Sequence, residues 1–380
     1  MRRAIWILCA LPALAFDPAA VASPFSDFNA GISSRNSARC DLAVGFMTSA
    51  LNAPDLLASL RPVALDVRGE CNIRQGKLDA ALADFDASLA LRPDDFDTYM
   101  LRGGAHVRLK HYDRAEADFS QLIRIRPDLG RGYVVLGAVY ALQQKYDAAI
   151  GAFTALVATA SHEALGHLLR ARARLAKGDL DAALDDANRL VELFPQQPQG
   201  YITRATVFIA QAKFSRAMTD IDDALEHLPG NPGLIRQKGV VQWEMGRFAD
   251  SAQTLSPLAK SDAASGYSVI WTDLARTAGG LADDDLQTRA QAVDPAKWPA
   301  AIVQLYLGKS TPEAVDAAAG GGDAEEQNQQ QCEADFYVGE WQLHHQAKEP
   351  AVVRLQRAAA SCPIDFVERA AAAAELKRLP

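Results

Sequence analysis

The chain has 380 residues, 49% of them hydrophobic but only 7% aromatic, and carries a formal net charge of −8. That charge is the wrong sign for the phosphate backbone of a nucleic acid, and no basic amphipathic stretch is present to hold an anionic membrane surface. Heavy use of alanine with few aromatic residues suits closely packed helices better than a β-sandwich.

The first residues read as an export address. Arg2 and Arg3 supply a positive start, Ala4 to Phe16 an apolar run, and Ala20-Val21-Ala22 a small-x-small cleavage motif before Ser23. The run is too short for a stable membrane span. Cys9 follows Leu8 rather than a small residue, which argues against lipidation, and the twin arginines lack the preceding polar residue of a folded-state export signal. Residues 1–22 are therefore expected to be a signal peptide of the general secretory route, leaving a periplasmic chain with no lipid anchor and no membrane insertion. Losing two arginines and Asp17 takes the net charge to −9. Cys40, Cys71, Cys332 and Cys362 stay, and an even count in an exported chain suggests disulfides.

Residues 23–61 are expected to form N-terminal capping helices. Beyond them a period of 34 takes over: Gly69, Gly103, Gly137, Ala171, Ala205 and Gly239 recur at that interval. Ala81, Ala115, Ala149, Ala183, Ala217 and Ser251 repeat in phase, 12 residues later. Four residues further on stand Phe85, Phe119, Phe153, Ala187, Ile221 and Leu255, and Pro93, Pro127, Pro195 and Pro229 close their units. Two small positions, one per helix, let a pair of backbones approach closely, and a large side chain one turn later fills the space around them. Gly76, Gly178 and Gly246 fall where a left-handed turn is needed. The pattern predicts six helix hairpins over residues 62–265.

In length and phase these units resemble the tetratricopeptide repeat, with Gly137, Tyr140, Ala149 and Phe153 the fullest match. The resemblance implies an all-α solenoid, a right-handed superhelix of antiparallel helix hairpins closed by C-terminal capping helices.

After residue 265 the pattern breaks. Residues 266–331 read as an irregular helical segment and an exposed linker: Tyr267 to Ala278 can form one helix, Ala282 to Gln291 is too polar for a well-buried partner, and Ala318 to Gln331 is rich in glycine and glutamine. Residues 332–380 read as a last hairpin, with Gly339 and Ala351 again twelve apart, and a capping helix. The ordered set of Trp298-Pro299, Glu333-Ala334-Asp335-Phe336-Tyr337-Val338-Gly339-Glu340-Trp341 and Asp365-Phe366-Val367-Glu368 resembles the C-terminal part of NlpI-type periplasmic repeat proteins. Members of that family are lipid-anchored, dimerise, and act as adaptors bringing cell-wall hydrolases to a processing protease. This chain lacks a lipid-attachment cysteine and has a longer array, so the adaptor role carries over, and the partners and the anchor do not. From the residues alone, Trp298, Tyr306, Phe336, Tyr337 and Trp341 can seal the open end of a solenoid.

The hairpin register sets Cys332 against Cys362 and Cys40 against Cys71 at the two ends of the array. Each bridge would close a loop of about 30 residues and contribute roughly 3–4 kcal/mol in the chain-entropy model. The competing reading, catalytic or metal-binding thiols, is disfavoured by the absence of Cys-x-x-Cys and by acidic surroundings.

The resemblance implies a peptide-binding groove lined by the first helix of each hairpin. Its positions fall on Met100, Val107, Arg108, Arg131, Val134, Leu168, Arg172, Ile202, Ile209, Arg236 and Trp243. Arginine stems packed on an apolar floor suit an extended or helical peptide with some acidic groups. Chemistry is harder to find. His162 and His167 are five apart, which turns them off a shared helix face, and His344 and His345 point in different directions. Asp185-Asp186, Asp222-Asp223 and Asp283-Asp284-Asp285 read as solvated helix faces or turns. No catalytic residue, metal site or cofactor is therefore expected. The leading expectation is a periplasmic protein-binding adaptor, with an envelope protease or a peptidoglycan hydrolase as partners. A scaffold for envelope export or assembly machinery, a homodimer and an enzyme of unrecognised type stay open.

Overall fold

The computed structural model describes residues 23–159, 162–260, 266–281 and 285–379, and every regular element among them is a helix. The expected signal peptide, with Cys9, lies outside the described residues, as do Asp283 and Asp284. The chain divides into two compact units between Pro127 and Asp128. In the first, α1 (Pro24–Asn36) pairs with α2 (Cys40–Asn52), α3 (Arg61–Arg74) with α4 (Leu78–Leu91), and α5 (Phe96–Arg108) with α6 (Tyr112–Ile125). The second opens with four more hairpins, formed by α7 (Gly130–Leu142) and α8 (Tyr146–Val157), α9 (Glu163–Lys177) and α10 (Leu180–Leu193), α11 (Pro198–Ala210) and α12 (Phe214–His227), and α13 (Pro232–Glu244) and α14 (Phe248–Ala259).

Close approach within each hairpin is visible atom by atom. A Cβ added at Gly69, Gly103 or Gly137 would sit 2.6, 2.3 or 2.4 Å from the ring of Phe85, Phe119 or Phe153. Each ring therefore lies directly over the missing side chain. Where the small residue is alanine, the facing side chain shrinks: Ala171 goes with Ala187 and Ala205 with Ile221, all fully buried. The exception at Ala187 is thus a volume compensation. The same arrangement occurs in α1 and α2, where a Cβ added at Gly31 would sit 2.6 Å from Met47 and Ala43 follows Gly31 by twelve residues. Residues 23–61 consequently contain a repeat-like hairpin; its spacing of 38 to Gly69 takes it out of the 34-residue series.

Between the helices of each pair the chain passes through left-handed backbone at Gly76, Lys110, Gln144, Gly178, Ala212 and Gly246, with φ between 54° and 89°. These positions are 34 apart, and only three are glycine. A second periodic feature was not foreseen from the sequence. Arg68, Arg102, Arg170 and Arg204 each hold an aspartate 16 residues on, Asp84, Asp118, Asp186 and Asp220, at 2.6–2.7 Å. The α7–α8 hairpin has Leu136 and Ala152 in place of the pair, and the α13–α14 hairpin has Lys238 and Thr254. Asp186 is therefore no solvated residue: it is 2% exposed and is shared by Arg170, Arg174 and His167. Asp222 is exposed, as expected, and pairs with Lys238.

Beyond the array come α15 (Gly266–Ala278), the short α16 (Leu286–Arg289), α17 (Ala300–Tyr306) and α18 (Pro312–Ala318), then α19 (Ala324–His344), α20 (Lys348–Ser361) and α21 (Val367–Arg378). The glutamine-rich stretch expected as a linker is exposed but helical from Ala324, because Asp323 and Glu326 form a capping box that starts α19 there. Cys332 accordingly lies about two turns inside the helix rather than at its start. It still reaches Cys362 at disulfide distance, with a Cα–Cα separation of 5.1 Å, and Cys40 and Cys71 stand at 5.0 Å. Phe336 and Tyr337 are fully buried, and Trp243 and Trp271 join them in one aromatic core, with ring centroids 5.0–6.3 Å apart. Trp298, Tyr306 and Trp341 pack at its edge, and Trp341 also stacks on exposed His345.

Two stability predictions follow from this geometry. Gly137→Ala forces a methyl into the Phe153 ring and should lower stability by about 1–2 kcal/mol despite alanine's better helix propensity. Adding Phe153→Ile, which copies the Ala205 and Ile221 pair, should recover most of that loss in denaturant titrations. Gln144→Gly removes a side chain from left-handed backbone and should raise stability by about 1 kcal/mol, read as a higher denaturation midpoint.

Candidate functional site

The groove residues expected on the first helices separate into those the fold leaves accessible and those it covers. In the first unit, α5 carries Met100 and Val107, both half-buried, and Arg108, exposed, whose guanidinium donates to the Ile73 carbonyl at 3.0 Å. In the second unit, Arg131 is exposed on α7, and half-buried Val134 packs on the Phe153 cluster. On α9, Leu168 is half-buried and Arg172 exposed. Ile202 on α11 is half-buried, but Ile209 is 6% exposed, and on α13 Trp243 is 1% exposed while Arg236 is half-buried. Ile209 and Trp243 are thus part of the core and not an open groove wall.

Phe248, Trp271 and Phe336 surround the Trp243 ring, and the C-terminal segment of the chain lies against the helices that carry Ile209 and Trp243. Helix α21 packs against α11, α13, α19 and α20. Ala370 joins the cluster of Ala205, Phe208 and Ile209, and Ile364, just before the helix, packs with Leu175 of α9 and Val207 of α11. Five consecutive alanines, Ala370 to Ala374, make this possible, since a helix without long side chains can lie close to its neighbours. Its far end is fixed by Arg378, which donates to the carbonyls of Trp243 and Glu244 at 2.9 and 2.6 Å and stacks over the Trp243 ring at 4.7 Å. Those carbonyls belong to the C-terminal turn of α13, where a cation is also favoured by the helix dipole. Near its start, Glu368 accepts a 2.7 Å hydrogen bond from the Tyr337 hydroxyl.

Several carboxyls are buried in this region. Burial, then the charge of Glu333, raises the Glu368 carboxyl to about 7, against smaller lowering effects from the Tyr337 hydroxyl and from Arg236. Glu333 accepts from the Tyr267 hydroxyl at 2.8 Å and from the Trp298 indole, and burial raises its carboxyl too. Glu244 is 5% exposed and neither of its carboxyl oxygens has a hydrogen-bond partner within the protein. Burial holds its carboxyl well above the ordinary range, with Arg378 opposing. Beside α21 a cleft of about 490 Å³ remains, lined by Glu244, Ile209, Phe214 and the α21 residues Ala370, Ala374 and Lys377.

Sequence reasoning placed a capping helix at the C terminus but did not see that it lies on the first-helix wall. The one available signal was the alanine run between Glu368 and Glu375, which marks a helix meant for close packing. For chemistry, the histidines offer little: His167 is tied to Asp186 at 2.8 Å, and His345 stacks on Trp341. Among the described residues no group of three or more His, Cys, Asp or Glu is placed to hold a metal ion, and no helix is long and apolar enough to cross a membrane.

Glu368 gives a pH prediction. Its folded value of about 7 lies above the 4.5 of the free side chain, so the folded chain binds more protons across that window. Its contribution to stability should fall as pH rises from about 4.5 to about 7 and stay low above that, by up to about 3 kcal/mol. Glu368→Gln should therefore be more stabilising relative to wild type at pH 8 than at pH 5 in denaturant titrations.

Residues 73–129 and 136–198 match the family model described as the tetratricopeptide repeat. No curated protein matches the chain. Among solved structures, a tetratricopeptide repeat protein from Parabacteroides merdae ATCC 43184 is 19% identical over 62% of this chain and 91% of its own, with a TM-score of 0.49. The C-terminal part of a TPR repeat-containing protein from Cytophaga hutchinsonii is 18% identical over 57% of this chain and 88% of its own, with a TM-score of 0.50. The second likeness is one of fold, and it agrees with the all-helical hairpin architecture.

Proposed function

We propose that this chain is a periplasmic adaptor that binds helical or extended segments of other proteins on the wall formed by the first helices of its hairpins. The observation that carries this reading is α21 itself, a helix seated on α11 and α13 through small side chains and an arginine. A wall that takes one helix has the shape and the helix-terminal carbonyls to take another. Further along the same set of helices, Arg131, Val134, Leu168, Arg172 and Ile202 offer alternating apolar and guanidinium groups that α21 does not occupy. The tetratricopeptide repeat match supports protein partners as the ligand class.

The envelope setting rests on the basic and apolar start of the sequence and on two cysteine pairs at disulfide distance, since such bonds persist in oxidising compartments. The resemblance of the C-terminal block to NlpI-type proteins supports an envelope protease and a peptidoglycan hydrolase as the partners brought together, and self-association into a homodimer.

Pull-down from an envelope extract with the mature chain and with its Leu168→Glu, Arg172→Glu variant tests the reading. Both positions are at least partly exposed, so the variant should keep its helical circular dichroism while losing at least tenfold of its captured partner. Recovery of the same partners in the same amounts by both chains would move the binding surface elsewhere.

A further inference from the structure

We propose that α21 is an exchangeable occupant of the first-helix wall, and that the partner which displaces it is an alanine-faced helix carrying a basic residue opposite Glu244. The proposal rests on the peptide-binding reading of that wall and names the chemistry and the control of its covered part.

Three features of the covered part support it. The first is attachment: α21 is 12 residues long and is joined to α20 only by the short segment 362–366, so it can swing away while staying tethered. Its polar grips are two, Glu368 on Tyr337 at one end and Arg378 on the α13 carbonyls at the other.

The second is fit. The helix leaves a cleft of about 490 Å³ beside it and leaves the Glu244 carboxyl buried with no partner. Of the cations lining the cleft, Arg378 is spent on the backbone carbonyls of Trp243 and Glu244 and on Glu375, and neither it nor Lys377 bonds the Glu244 side chain. An unsatisfied buried carboxyl destabilises the state that contains it, and here that state is the closed one. The resident helix is an incomplete ligand.

The third is the position that would complete it. Ala374 lines the same cleft as Glu244, one turn before Arg378. A lysine or arginine there could reach into the cleft and pair with the Glu244 carboxylate, a charge-assisted bond that α21 does not make. A competing helix with that one change keeps the small face that fits α11 and α13, keeps the terminal arginine, and gains the missing partner. Glu368, whose ordinary ionised form is disfavoured in the closed state, adds to the ease of release.

Two fluorescent peptides serve as probes, one with the sequence of residues 365–379 and one carrying A374K. They are titrated onto the mature chain, its R378A variant and its E244Q variant, each checked for native helicity. R378A should bind the unmodified peptide at least tenfold more tightly than wild type, because its own helix is held less firmly. The A374K peptide should bind wild type at least tenfold more tightly than the unmodified one, and E244Q should remove that advantage. Hydrogen exchange in Val367–Arg378 should be faster than in α20 and faster still in R378A. Equal affinities across peptides and variants, or protection of α21 equal to that of α20, would make the helix a fixed cap and overturn the proposal. Leu168 and Arg172 take no part in these measurements, so failure here leaves the pull-down to decide the broader function independently.

Discussion

A side chain that is absent, facing one that is large, sets the spacing on which the rest of this molecule depends. Gly69, Gly103 and Gly137 let the rings of Phe85, Phe119 and Phe153 sit where a Cβ would be, and the two helices of each pair come together around that contact. The rule is one of summed volume, not of residue identity. Ala171 with Ala187 and Ala205 with Ile221 obey it with different members, as does Gly31 with Met47 in a hairpin outside the regular period. Packing at crystalline density leaves no room for both partners to grow. Because each pair solves the problem locally, the solution can be repeated along a chain.

Charge adds a second local constraint. Arg68, Arg102, Arg170 and Arg204 each reach a nearly buried aspartate on the second helix of their own hairpin. Buried pairs of this type contribute little net stability against a hydrophobic replacement, but breaking one leaves a lone charge in the interior. They discriminate against slipped pairings, in which an aspartate would be buried alone. Leu136 and Ala152 show that a hairpin can form without the pair.

The hairpin array was legible in the sequence because its determinants are small residues at fixed intervals, and intervals survive the loss of all other information. The left-handed turns at Gly76, Gly178 and Gly246 were legible for the same reason; those at Lys110, Gln144 and Ala212 were not, since nothing in those side chains announces a positive φ. The start of α19 was missed because glutamine and glycine suggested a linker, while the capping box of Asp323 and Glu326 overrode composition. At the candidate site, repeat register placed Ile209 and Trp243 on the correct helices but could not say that a segment more than a hundred residues later lies against those helices. Periodicity reports what each unit does with its neighbours. It is silent on a contact made once.

That contact also fixes an order of events. Arg378 is separated by 135 residues from Trp243, whose ring it covers, and Phe336 and Tyr337 complete the same cluster from far downstream. A chain emerging from its N terminus can assemble its early hairpins one by one, yet the aromatic centre of the second unit stays unfinished until α19 and α21 have joined it. Removing α21 would strip the Trp243 ring of the Arg378 cover while leaving every contact inside the repeats in place, so the repeats alone do not finish this core.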